Sequence, residues 1–279
     1  MFNFAGKTPW KKASAFWTHG EGTTSANGRV LTVIASSYNE STGERKVYGI
    51  VTVDLEKQRI IGTLDAKDFP VPGAVPDHVS TSPSGGYAVV SWLAEHGGTR
   101  AYRVDFSAST QLAKSSEHSD LAFNRDGQDV YVYTDYQDGN IIAVNIRSGD
   151  RFKLAPLYPE PGSSYAAHIS GQAFNRPGWV VISSYGATAD YGKTELTGAD
   201  GPYYHRVWLQ ELTPRGRALA VASTQVDPQV TLPGSDAAYF LEPQATVSRD
   251  LSRIMFASNF GSSTIESYTA ALPSWMTRD

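Results

Sequence analysis

The chain has no cysteine in 279 residues, which removes disulfides, thiolate nucleophiles and sulfur metal ligands from consideration. Charge of one sign is also scarce. With 24 Lys and Arg against 28 Asp and Glu the formal charge is -4, and no basic stripe is present to meet nucleic acid or anionic membrane. No apolar run is long enough to span a bilayer, and the opening MFNFAGKTPWKK lacks the charged start and apolar stretch of a signal peptide. The sequence therefore reads as a soluble chain without membrane insertion, with a secreted or periplasmic parent left open. Glycine-rich phosphate loops, a GxSxG elbow and an HExxH helix are missing too, so those three chemistries have no motif here.

What is abundant is turn chemistry. Gly 25 and Pro 15 separate short β-branched and aromatic runs, as in an all-β protein. One pattern recurs. LEPQATVSRDLSRIMFASNFG near the C-terminus has counterparts in FWTHGEGTTSANGRVLTVIAS, DHVSTSPSGGYAVVSW, EHSDLAFNRDGQDVYVYTD and AHISGQAFNRPGWVVISSYG. Each joins a polar or His-bearing start, a short alternating run, a four-residue turn and a strand. A hairpin unit repeated in this way predicts a β-propeller of four-stranded antiparallel blades. Five units are visible, with six or seven blades as the alternative, and one domain over 1–279 is expected. The fifth unit has no obvious fourth strand, so residues 1–13 are expected to complete the last blade.

The turn provides a ruler. Six positions before its first residue (Ser25, Ser82, Asn124, Asn175, Ser248) stand His19, Pro76, His118, Ile169 and Glu242; four before it stand Glu21, His78, Asp120, Gly171 and Gln244. His168 lies seven before the fourth turn, so four of the six histidines fall in one narrow register. The first strand of a propeller blade lines the central channel, so these residues are expected to converge on one mouth of it. His, Asp, Glu and Gln there suit Mn, Ca or Zn as a divalent metal. The plainer reading gives them backbone hydrogen bonds where blades meet.

A long insertion, ATADYGKTELTGADGPYYHR, follows VVISSYG in the fourth unit and brings Tyr191, Tyr203, Tyr204, His205 and Arg206 beside Tyr185. Aromatic rings stack on sugar faces, and a Tyr or His can move a proton. Trp92, Trp179 and Trp208 read as packing between blades, and Trp275 as a terminal anchor.

SPSGGYAVVSW, FNRDGQDVYVYTD and VSRDLSRIMFASNFG together resemble the TolB-like and oligogalacturonate-lyase-like bacterial propellers, over roughly residues 75–272. That resemblance implies a metal held at the channel mouth, with His168, Glu242 and Gln244 on the metal side and His118 as the base. Glu242 and Gln244 stand where the lyase pattern has histidines. It further implies an oligosaccharide or polysaccharide ligand containing uronate, cleaved by metal-assisted elimination. Arg206 would clamp the carboxylate, Tyr185 or Tyr204 could share the work of the base, and His78, Asp120, Tyr191, Tyr203 and His205 would contact the sugar. Two alternatives stay open at this point. One is a non-catalytic propeller that binds glycan or protein. The other is a glycoside hydrolase, for which Glu21, Asp120 and Glu242 supply carboxylates.

Overall fold

The computed structural model describes residues 2–4, 6–19, 24–158, 165–185, 204–227, 230 and 241–276. The fold is all-β, of the propeller class, with five antiparallel sheets among the described residues. The first holds β1 (Ala15–Trp17), β2 (Val30–Asn39), β3 (Glu44–Asp54) and β4 (Arg59–Asp65). The second holds β5 (Pro76–Thr81), β6 (Tyr87–Trp92), β7 (Thr99–Arg103) and β8 (Ser109–Gln111). In the third are β9 (Ser119–Phe123), β10 (Asp129–Asp135), β11 (Asn140–Asn145) and β12 (Arg151–Pro156). The fourth has β13 (Ala166–Ser170), β14 (Trp179–Tyr185), β15 (Arg206–Glu211) and β16 (Ala218–Ser223). The fifth has β17 (Thr246–Val247), β18 (Arg253–Ser258) and β19 (Glu266–Ala271). Each sheet corresponds to one sequence unit, with its strands in consecutive order.

The chain packs as two compact units, residues 1–116 with 146–149 and residues 117–145 with 150–279. Within the second unit β14 shows why the middle strands are apolar on both faces. Val180 and Ile182 enter one buried cluster with Val130, Val132 and Trp208. Trp179 and Val181, pointing the other way, enter a second with Val247, Ile254 and Phe256. Successive side chains alternate across a strand, so a strand covered on both faces carries apolar residues in an unbroken run, here Trp179–Ile182. In the first unit Ile34, Ile50, Val79, Val90 and Trp92 make the equivalent layer between the first two sheets. Trp92, Trp179 and Trp208 are thus packing residues as expected, whereas Trp275, the expected terminal anchor, is 68% exposed.

The described residues before β1 form no strand. Phe2, Phe4 and Trp10 pack against Val33, Val51 and Val53 of the first sheet, and Trp10 donates Nε1–H to Asp65.

The recurrent turn is built the same way in four units. The amides of Ser25, Ser82, Asn124 and Ser248 donate to the carbonyls of Val30, Tyr87, Gln128 and Arg253. Their side-chain oxygens accept amides across the turn, from Val30, Tyr87, Gln128 and Arg253 in the same order. The fourth position has positive φ each time, at Gly28, Gly85, Gly127 and Leu251. Short polar side chains that bond their own backbone, followed by glycine, are what such a turn selects. Neighbouring turns are also joined through the main chain, with Ala26 N–H donating to Pro83 and Asn175 N–H to Arg249.

Candidate functional site

The second unit gathers two histidines, a tyrosine and a glutamate: His118 just ahead of β9, His168 within β13, Tyr185 at the end of β14 and Glu242 ahead of β17. β13 and β14 set the frame: His168 lies opposite Ser183 and Ala166 opposite Tyr185. His168 and Tyr185 are therefore diagonal neighbours on the ladder, within reach of long side chains. Their rings stack, with centroids 4.9 Å apart and planes 21° from parallel. His118, just ahead of β9, meets His168 edge-on at 4.5 Å, and its carbonyl accepts the Thr134 amide, which fixes the backbone there. The Tyr185 hydroxyl lies 3.4 Å from His118 Nε2, a long contact.

Glu242 completes the group. Its Oε2 is 2.8 Å from His168 Nε2, the ring donating to the carboxylate. Glu242 is only 4% exposed, and Leu241 beside it 2%. The segment is pinned from both sides, because Pro243 O accepts the Ala257 amide and Ala245 N–H donates to Ser183 Oγ. A carboxylate so removed from water needs a hydrogen-bonding partner, and the imidazole is that partner. Fixing Nε2 in turn orients the ring and leaves Nδ1 as its other polar atom.

That pairing bears on the expected metal arrangement. Ligands of one ion point at a common centre, but His168 Nε2 and Glu242 Oε2 point at each other. Gln244 is exposed, on a backbone with φ 41. Among the described residues no three His, Asp or Glu side chains form a metal-binding group. In this hydrogen-bonded arrangement His168, Glu242 and Gln244 do not present the common centre that a manganese, calcium or zinc ion needs.

Asp120 is engaged elsewhere. Its Oδ2 accepts the Gly171 amide at 2.7 Å and Gln172 Nε2 at 3.1 Å, tying β9 to the loop after β13. Gly171 is required by this approach, since a Cβ there would stand 2.3 Å from Leu121 O. His78, in the first unit, is 6% exposed and hydrogen-bonds Ser91 Oγ through Nε2 at 3.0 Å. Its Nδ1 faces Asp77 at 3.4 Å. That contact, with Ser116, holds the Asp77 carboxyl down at about 2 against the cost of burial.

Tyr204 and His205 are buried at the foot of β15, ring against ring at 4.3 Å, and the His205 carbonyl accepts the Thr224 amide. They stand directly ahead of Arg206, where β15 begins. Arg206, the exposed first residue of β15, donates its amide to Ser184 Oγ beside Tyr185. Tyr191, Tyr203 and Glu21 lie outside the described residues.

No protein-family profile matches the chain, and no curated protein matches it in sequence. Solved structures do match. An oligogalacturonate lyase in complex with manganese superposes with a TM-score of 0.54 at 13% identity, over 95% of this chain and 68% of that one. An oligogalacturonate lyase from Vibrio parahaemolyticus gives 0.54 and 13%, over 93% and 67%. TolB from Acinetobacter baumannii gives 0.45 and 12%, over 86% and 48%. At these identities the likeness is one of fold. The propeller expectation is met.

Proposed function

We propose that this propeller acts on uronate-containing oligosaccharides by elimination, using side chains of the second unit in place of a bound metal. The observation that carries this reading is the convergence of His118, His168 and Tyr185 against a buried Glu242. The fold it shares with two oligogalacturonate lyases is consistent with that substrate class.

In such an elimination the proton α to the sugar carboxylate is taken by a base. The electron pair released forms the ring double bond, and the bond to the leaving oxygen breaks as that oxygen is protonated. His118 is the proposed base, with the Tyr185 hydroxyl near its Nε2 as the proton donor to the leaving oxygen. The carbanion is accessible only if the carboxylate charge is countered, a role proposed for Arg206 at the exposed start of β15. His168, oriented by Glu242, packs against both rings and holds them in place.

The test is incubation of the purified protein with oligogalacturonate, following the ultraviolet absorbance of the unsaturated product. Turnover that survives chelator and disappears in His118→Ala, with the fold intact, is the expected result. Binding without any product in the wild type would move the protein to the class of non-catalytic glycan-binding propellers.

A further inference from the structure

The first unit carries a cleft that the histidine cluster does not use. β2 and β3 are the longest strands described, and their pairing runs on to Asn39 and Glu44 while β1 accompanies β2 only along Ile34–Ser36. The hairpin end therefore stands clear of its sheet, with Tyr38 53% exposed. Beside it lies a cleft of about 380 Å³ lined by Trp17, His19, Arg45, Val75, Asp77 and Leu93, among others.

Its lining combines a cation, a carboxylate and apolar side chains. Arg45 is seated on aromatic rings, its guanidinium 4.2 Å from the Trp17 centroid and 5.8 Å from that of Tyr38. Trp17 is itself fixed by donating Nε1–H to Ser36 Oγ at 2.8 Å. Among the described residues no carboxylate pairs with Arg45. A guanidinium stacked in this way keeps its N–H groups in a fixed plane, ready for a bidentate acceptor. The lining also holds Asp77, an ionised acceptor that faces His78 Nδ1 and accepts from Ser116 Oγ. Val75 and Leu93, 49% and 45% exposed, give the cleft apolar surface open to a ligand. Apolar side chains, one carboxylate acceptor and one guanidinium seated on aromatic rings match the three features of an acidic sugar: its C–H face, its hydroxyls and its carboxylate.

We infer that this cleft is a second binding site, one that takes a uronate unit of an acidic glycan with the carboxylate on Arg45 and the ring over Val75 and Leu93. The ligand class rests on the reading given under Proposed function, but the site and its residues do not.

The experiment is calorimetric titration with tri-galacturonate and with its methyl ester, using the wild type, Arg45→Gln and His118→Ala. Circular dichroism and thermal melting would verify that each variant is folded. The expected result is an affinity at least tenfold weaker in Arg45→Gln, unchanged binding at this site in His118→Ala, and weak binding of the ester by all three. Arg45→Gln is exposed enough to fold, and Leu93→Asp tests the apolar surface independently with the same direction of effect. Tri-galacturonate bound equally by the wild type, Arg45→Gln and Leu93→Asp would overturn the inference, as would ester bound as tightly as acid. Arg45-dependent binding in a protein that yields no unsaturated product would uphold this site and refute the elimination chemistry. Product formed by the wild type, with affinity indifferent to Arg45, would do the reverse.

Discussion

Replacing Asp120 by alanine separates a seam residue from a sugar-binding one. Its Oδ2 receives two donors from the next blade, the Gly171 amide at 2.7 Å and Gln172 Nε2 at 3.1 Å. When the carboxylate is removed, Gln172 can turn its amide towards water. The Gly171 N–H cannot, because Gly171 is buried against Leu121 and Ala122. Losing a hydrogen bond to a charged group costs about 1.5–3 kcal/mol and stranding a buried donor costs a similar amount, with overlap between the two. The net loss expected for Asp120→Ala is therefore about 2–4 kcal/mol. Asp120→Asn keeps an acceptor for the amide and should lose only about 1 kcal/mol. Urea unfolding followed by tryptophan fluorescence reads both, since Trp179 and Trp208 are buried in the same unit. Hydrogen exchange at Gly171 localises the effect. An Asp120→Ala protein within about 0.5 kcal/mol of wild type would refute the reasoning, because surface substitutions lie in that range.

Other consequences are equally open to measurement. In a double-mutant cycle of His168→Gln and Glu242→Gln, the pair should show a coupling of about 1–3 kcal/mol in unfolding free energy; additive losses would mean that the contact contributes nothing. Gly127→Ala should cost about 1 kcal/mol through backbone conformation alone, since φ is 72 and nothing lies within 4 Å of an added Cβ. A wild-type melting temperature in that variant would contradict the left-handed turn. The Asp77 carboxyl is held at about 2 against an ordinary 3.8. Its contribution to stability is thus full above about pH 4 and lost as pH falls through about 2. Acid unfolding curves of wild type and Asp77→Asn should accordingly converge towards low pH, and parallel curves would count against the Asp77–His78–Ser116 arrangement.

The turns were legible in the sequence because their chemistry is local: the Ser or Asn that opens each one bonds amides no more than five residues on. The histidine register was informative for the same reason, and His118 and His168 do meet. What those residues do with their partners was harder to read. His168 beside Glu242 suits a shared metal and a direct hydrogen bond equally well until the direction of each lone pair is known. The partner that occupies Asp120 is chiefly a main-chain amide, which no residue letter records. Tyr204 and His205 looked like loop residues, yet burial at the foot of β15 depends on where the insertion closes. Arg45 and Trp17 are far apart in the chain, and only the overhang of β2 and β3 brings the guanidinium over the indole.

The main-chain links between neighbouring turns, Ala26 to Pro83 and Asn175 to Arg249, bear on inheritance. Every residue type except proline supplies the same amide, so a seam stitched by backbone can outlast the replacement of every side chain around it. Mutational drift is then nearly silent at these joints, and an ancestor's architecture can persist long after its letters have scattered. Two oligogalacturonate lyases share this fold at 13% identity, a likeness of architecture with little likeness of letters. Chemistry can be lost, moved or rebuilt on such a frame without the frame being renegotiated.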